Sequence, residues 1–170
     1  MNQMETELIE QAKDRLRLAS DLSLRHYKKP LVVTYSGGKD SEAILQLSKE
    51  AGIPFSILHS HTTADAPETV RFVRERLKAE ESAGRKCEIQ YPAYKGARIS
   101  MWTLIPIKLM PPTRGVRYCC EVLKETGGTD SFIATGVRWA ESTKRLSRAI
   151  YERNHADKGK RIFLNNDNEL

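Results

Sequence analysis

The chain has 170 residues, 39% of them hydrophobic and 29% charged, with no long block of one charge sign. That length and balance fit one globular domain with a sizeable core and exclude a disordered chain. Lysine and arginine exceed the acids by six and the pI is about 9.3, which favours an anionic partner or else simply marks a basic surface. No apolar run approaches the ~18–20 residues of a membrane span, and Met1-Asn2-Gln3-Met4-Glu5 lacks the basic-then-apolar order of a signal peptide. The three cysteines, Cys87, Cys119 and Cys120, are too few and odd in number for a disulfide framework. The expected compartment is therefore the reducing cytoplasm.

In chain order, Leu8, Ile9, Ala12, Leu16, Ala19 and Leu22 recur at helical spacing and predict an amphipathic helix over residues 5–25. After Pro30, Leu31-Val32-Val33-Thr34-Tyr35 reads as a buried strand. Beyond Ser36-Gly37-Gly38 the period returns to helical through Ala43, Ile44, Leu45 and Leu47, with Gly52 as the stop. Phe55-Ser56-Ile57-Leu58 is a second strand. Asp65-Ala66-Pro67-Glu68 reads as a helix start with Asp65 as cap, and that helix runs through Val70, Phe72, Val73 and Leu77 to Gly84.

Cys87, Ile89 and Tyr91 alternate along a third strand. Residues 92–116 are less regular: Met101-Trp102-Thr103-Leu104-Ile105 has helical character that Pro106, Pro111 and Pro112 should break up. A short helix around Tyr118 to Glu125 stops at Gly127-Gly128. Ser131-Phe132-Ile133-Ala134-Thr135 is a fourth strand ending at Gly136, and Arg161-Ile162-Phe163-Leu164 is a candidate fifth. Strands alternating with helices predict an α/β protein of three layers, α/β/α, around a mainly parallel, twisted, Rossmann-like sheet. In such a sheet ligands sit beyond the carboxyl ends of the strands. Residues 36–41, 59–65 and 136–145 each follow a strand and should converge on that edge.

Ser36-Gly37-Gly38-Lys39-Asp40-Ser41 carries the clearest chemistry. Two glycines permit a tight turn that exposes successive N–H groups, a nest suited to phosphate oxygens. The following helix adds its free N–H groups and the positive end of its dipole. Lys39 supplies a charge, and Ser36 and Ser41 supply hydroxyls. A Walker A loop is excluded, because it needs four residues between its first glycine and the Gly-Lys pair and a hydroxyl residue directly after the lysine, where Asp40 stands.

This loop resembles the PP-loop of ATP pyrophosphatases and of their relatives, the adenylylsulfate (APS) and phosphoadenylylsulfate (PAPS) reductases. The resemblance extends to the stretch from His59 to Thr69, to Pro111-Pro112-Thr113-Arg114 with Arg117-Tyr118-Cys119-Cys120 and the segment on to Lys124, and to Thr135-Gly136-Val137-Arg138 with Ser142, Lys144 and Arg145. Ordered matches run from about residue 31 to 148, within an expected single domain over 1–170 whose core spans residues 31–150. The resemblance implies an adenine nucleotide (PAPS, APS or ATP, the last with Mg²⁺) whose phosphates contact Ser36, Gly37, Gly38, Lys39, Asp40 and Ser41. His61, Thr62, Asp65 and Gly136 would line the same pocket, and Arg138 and Arg145 would face its phosphate or sulfate end. A guanidinium fork suits that task because it pairs two oxygens at once.

Cys119 and Cys120 resemble cysteines that hold a 4Fe–4S cluster in some relatives, or are a buried cysteine beside an exposed one. A cluster needs four thiolates, so further cysteines would have to come from outside this chain. His59 and His61 alternate at a strand end but make a weak metal pair. Reductases of this kind carry a nucleophilic cysteine near the C-terminus, expected in a segment that this sequence lacks. The expected activity is PAPS reductase-like sulfonucleotide reduction. The alternatives are adenylation for sulfur transfer to nucleic acid, as in DNA phosphorothioation, and a non-catalytic nucleotide-binding module. A thioredoxin-like thiol reductant, nucleic acid, a homodimer and a larger assembly are the partners these readings call for.

Overall fold

A computed structural model describes residues 3–124, 127–128 and 130–136, all within the compact unit Met1–Gly136. The candidate strand at residues 161–164 lies outside these residues. Helix α1 (Gln3–Tyr27) leads into strand β1 (Leu31–Thr34), and α2 (Lys39–Glu50), β2 (Phe55–Ser60), α3 (Pro67–Ser82) and β3 (Cys87–Gln90) follow in strict alternation. A small hairpin, β4 (Ala93–Tyr94) and β5 (Ala97–Arg98), precedes α4 (Met101–Lys108), α5 (Tyr118–Leu123) and β6 (Ile133–Ala134).

Among the described residues four strands form one sheet in the order β3-β2-β1-β6, and each pairing between them is parallel. Alternation along the strands sends Val33, Tyr35 and Ile57 to one face, where they pack with Leu45 of α2 and with Val73 and Leu77 of α3. Each of these side chains is buried, and full burial of a Leu, Ile or Val contributes about 1.5–3 kcal/mol. On the other face, Leu58 meets the chain at Gly127 and Gly128 just beyond α5, and the Ser60 hydroxyl reaches the Lys124 carbonyl at 3.5 Å. Helical segments thus cover both faces, the three-layer α/β/α arrangement expected. A second apolar cluster joins Ile99, Leu104, Tyr118, Val122 and Leu123 beneath the hairpin and the short helices.

Three local expectations need correction. The cap of α3 is Ala66, whose carbonyl accepts from Val70 N at 3.1 Å, and not Asp65. The Asp65 carboxylate is taken by the Thr62 hydroxyl, 2.5 Å away, so it is turned from the helix. Pro106 does not break up its helix: α4 runs from a Ser100–Thr103 capping box through Pro106 to Lys108, ending at Leu109 in the left-handed region. The carbonyl that loses its α-helical partner to Pro106 belongs to Trp102, an exposed residue of the first turn. The hairpin Ala93–Arg98 stands where irregular chain was expected, turning at Lys95 and Gly96 with φ of 50° and 82°.

One buried acid ties the helical layer together. Glu80 on α3, 2% exposed, accepts from Lys49 of α2, from Arg76 at 3.0 Å and from Arg85 at 2.8 Å. Arg76 also reaches Glu42 on α2 at 2.5 Å, and Glu42 accepts the Tyr35 hydroxyl at 2.7 Å. The Arg76 hydrogen bond holds the Glu42 carboxyl below its ordinary pKa, and burial, with Glu42 next in order, pushes the Tyr35 phenol up to about 12. Removing one member of a buried charge cluster leaves the others uncompensated, at a cost of about 3 kcal/mol or more. Glu80→Ala should therefore lower the melting temperature by roughly 6–12 °C, read by circular dichroism, with Glu80→Gln losing less.

Candidate functional site

Strand β1 occupies the switch point of the sheet: the chain moves outward to β2 and β3 on one side and returns to β6 on the other. The crevice beyond its carboxyl end is where parallel α/β sheets accept ligands. Residues 36–41 fill this position. Gly37 has φ of +81°, a conformation that only glycine adopts without strain, and a Cβ there would lie 2.7 Å from Val73 Cγ2. Gly38 caps α2, and no side chain makes a capping hydrogen bond at this helix start. Ser41, 6% exposed, holds the loop from inside. Its hydroxyl donates to the Gly38 carbonyl at 2.7 Å and accepts from Ser36 N and Ser36 Oγ, both at 3.2 Å.

Ser36 and Lys39 are exposed on the rim and Asp40 is partly buried. Gly136, just beyond β6, lies against the start of α2: a Cβ on it would stand 2.6 Å from the Asp40 carbonyl oxygen and 3.2 Å from Ser41 N. The segments after β1 and β6 therefore meet backbone to backbone. The segment after β2 adjoins them, because Tyr35 N donates to the Leu58 carbonyl at 2.9 Å and the Tyr35 carbonyl lies 2.8 Å from His59 Nδ1. Arg138 and Arg145 lie outside the described residues.

The loop after β2 is built by its own hydroxyls. Thr62, 8% exposed, donates to Asp65 and accepts from Ala64 N at 3.3 Å. Thr63 has a φ of 64°, costly for a β-branched residue, and its hydroxyl donates to the Thr62 carbonyl at 2.6 Å and accepts from Met101 N at 2.8 Å. That last bond fixes the loop to the start of α4, and sequence reading missed Thr63 because the partner is 38 residues away. His61 sets its ring edge-on to Tyr91 at 5.4 Å. Together with Thr63, Asp65, Pro67, Val70, Arg71 and Arg74 it lines a cleft of about 520 Å³. Arg71 and Arg74 were not singled out by sequence, although their spacing on an exposed helix face was there to be read.

Cys119 packs against the second apolar cluster, and the Cys120 sulfur accepts from Arg117 at 3.3 Å. Cys87 packs against the sheet core, where burial pushes its thiol up to about 11. Cys87 and Cys119 pack in separate cores, so the three thiols do not fit a four-thiolate cluster. Among the described residues no three of His, Cys, Asp and Glu gather as a metal site, so His59 and His61 find no third ligand there. Among them, too, no helix is long and apolar enough to cross a membrane.

A mainly parallel sheet with helices on both sides and a glycine turn at its switch point defines a Rossmann-like α/β protein. The sequence matches the family profile of the phosphoadenosine phosphosulfate reductase domain over residues 30–163, and the chain belongs to that family. It is a family of PP-loop, nucleotide-binding proteins connected with adenine-nucleotide-linked sulfur chemistry. No curated protein matches the chain.

Two outcomes test this geometry. Gly136→Ala should push the backbone of residues 40–41 from its place, at about 1–3 kcal/mol for the overpacking, and shift the amide resonances of residues 36–41 more than those of α1. His61 tests the second loop. Burial, then the charges of His59 and Arg74, depress its pKa below the ordinary 6.5, so the native ring resists protonation. The unfolded chain takes up that proton more readily, so stability falls as pH drops below about 6.5. His61→Gln should flatten the denaturation midpoint between about pH 6.5 and 5, and an unchanged slope would refute the depressed pKa.

Proposed function

We propose that this chain binds a sulfated adenylate, PAPS or APS, with residues 36–41 around its phosphates, and serves reductive sulfur chemistry. One observation carries the reading. The uncapped start of α2, the Gly37–Gly38 turn and the close approach of Gly136 all meet at the switch point, beyond the carboxyl end of β1. A helix start of this kind favours an anion through its N–H groups and dipole. Lys39 adds a mobile charge at the rim, and Ser36 adds a hydroxyl.

In this reading the protein contributes position and charge neutralisation, as loosely bonded, highly charged reactants require. Arg138 and Arg145 take the phosphate or sulfate end. A thiolate attacks the sulfur of the sulfo group, forming a bond to it as the bond to the adenylate oxygen breaks and the adenosine phosphate departs with that electron pair. A dithiol reductant of thioredoxin type then attacks the sulfur that carries the sulfo group, releasing sulfite and forming a mixed disulfide that its second thiol opens, so the reductant leaves as a disulfide. ATP is the competing ligand. Its Mg²⁺ would arrive as part of the substrate, and the chemistry would then be adenylation.

Thermal unfolding with PAPS, APS and ATP–Mg²⁺ separates these readings. A ligand at 100 times its Kd adds about 2.7 kcal/mol, which raises the melting temperature by roughly 5–11 °C for a chain of this size. A rise with a sulfated nucleotide, abolished by Lys39→Ala, is the expected result. A rise with ATP–Mg²⁺ alone would replace reduction by adenylation, and binding without turnover would leave a nucleotide-binding module. No rise with any of the three would overturn the proposal.

A further inference from the structure

Helix α4 carries only two polar residues, Thr103 and Lys108, a composition that suits a helix covered on every side. It is covered on one. Leu104 is fully buried and packs with Ile99, Tyr118, Val122 and Leu123 in the second apolar cluster. On the opposite side Trp102, Pro106 and Leu109 follow at i, i+4 and i+7, with Ile107 and Met110 beside them, and all five are exposed. Trp102 is 70% exposed, and Leu109, left-handed at the helix end, is 92% exposed. Thr103, the polar residue on that side, has its hydroxyl engaged with Ser100 in the capping box. The Tyr118 hydroxyl donates to the Met110 carbonyl at 2.6 Å, which folds residues 111–117, with the exposed Val116, back beside the helix end.

The charge around this face has one sign. No aspartate or glutamate occurs between Glu88 and Glu121, and the interval carries Lys95, Arg98, Lys108, Arg114 and Arg117. Arg98 is stacked on Tyr91, and Arg117 has Glu121 four residues on, so neither counts as a cation of this face. Lys95 and Lys108 sit together over the Tyr94 ring, 5.7 and 4.7 Å from its centroid, and Tyr94 packs on the cluster beneath α4. Arg114 is exposed in the returning loop. Among the described residues Lys95, Lys108 and Arg114 make no ion pair, so they rim the apolar face with their charge intact.

We infer that the outer face of α4, with Val116 beside it, docks on an anionic lipid surface. Exposed tryptophan and aliphatic side chains bordered by cations are the features of an element that lies in the headgroup layer. The apolar groups enter the acyl boundary, and the cations stay among the headgroup phosphates. The side chains project from a helix and from its end instead of lining a groove, and a bilayer accepts such knobs without a preformed pocket. The buried Leu104 and the capping box hold them in place from below. A second copy of the chain would bring Lys95, Lys108 and Arg114 against the same three cations, which disfavours self-association here. A protein partner would need a matching pocket with an acidic rim. The inference stands apart from the nucleotide reading, because its test needs no nucleotide.

Co-sedimentation of the full chain with phosphatidylcholine vesicles, with and without about 30% phosphatidylglycerol, tests it. A lysine or arginine near an anionic surface strengthens binding about fivefold, so three cations predict roughly 100-fold tighter partition to the anionic vesicles. Salt at about 0.5 M should remove most of that preference. Lys95→Gln with Arg114→Gln should reduce it about 25-fold. Trp102→Gln with Leu109→Asn should weaken binding to the anionic vesicles about tenfold or more, asparagine being a residue that tolerates the left-handed conformation. Circular dichroism confirms that each variant is folded, as expected for exposed positions. Partition that is absent, equal on the two kinds of vesicle, or unchanged in the Trp102 and Leu109 variant would each overturn the inference. So would a dimer in sedimentation velocity that the same variant dissociates, or capture of an acidic protein through Trp102 without vesicle binding.

Discussion

The architecture depends on how closely backbone can approach backbone at the carboxyl end of β1. Gly136 touches the Asp40 carbonyl where any side chain would collide, and Gly37 turns against Val73 where a Cβ would fall inside van der Waals contact. These two contacts set where α2 begins relative to β6 and to α3. If either residue carried a side chain, the first turn of α2 would have to move outward, and the N–H groups there would no longer face the crevice. The buried Ser41 hydroxyl, bonded to Gly38 and Ser36, then holds the narrow geometry that the glycines permit. Shape comes from what is missing at two positions, and rigidity from one hydroxyl.

The charge cluster under the helices supports the same point from a distance. Tyr35 is the residue before the loop, and it is tied at both ends: its carbonyl to His59 and its hydroxyl to Glu42, which Arg76 links onward to Glu80. A buried carboxylate surrounded by Lys49, Arg76 and Arg85 is stable only if α2 and α3 keep their relative position, because each cation must remain within reach. The cluster therefore resists sliding of the two helices that flank the loop, which nonspecific apolar packing alone would oppose less.

Much of this was legible in the sequence where the information is local. The strand at 31–35, the glycine turn and the helix after it are each marked by period and residue type, and the structure places them as read, with Gly52 at the expected stop in a left-handed conformation. Gly136, expected from sequence to line the pocket, lies backbone to backbone against Asp40. The failures are those of competition and distance. Asp65 looked like a cap, but the Thr62 hydroxyl three residues earlier claims its carboxylate. The hairpin at 93–98 has strands of only two residues, too short for any alternation to show, and only Lys95-Gly96 hinted at its turn. Glu80 shares the buried face of Val73 and Leu77 at helical spacing, but what lets an acid sit there is Lys49, 31 residues earlier, which no local pattern reveals.

The two sides of α3 show why charge in a sequence cannot be read without its geometry. Arg76 differs from Arg74 by two positions, yet one lies among carboxylates and the other faces open solvent beside a cleft. An arginine held by two acids stabilises the fold and has little field left for a ligand. Arg71, which lines that cleft with Arg74, has the exposed Glu68 and Glu75 three and four residues away on the same helix, so its field is moderated without being held in an ion pair. The net charge of +6 is thus unevenly available, because Lys49, Arg76 and Arg85 are held by Glu42 and Glu80 inside the architecture. The exit of β2 adjoins the loop after β1 through the Tyr35–Leu58 and Tyr35–His59 bonds, so the cleft lined by Arg71 and Arg74 opens at the same edge of the sheet as the proposed phosphate site.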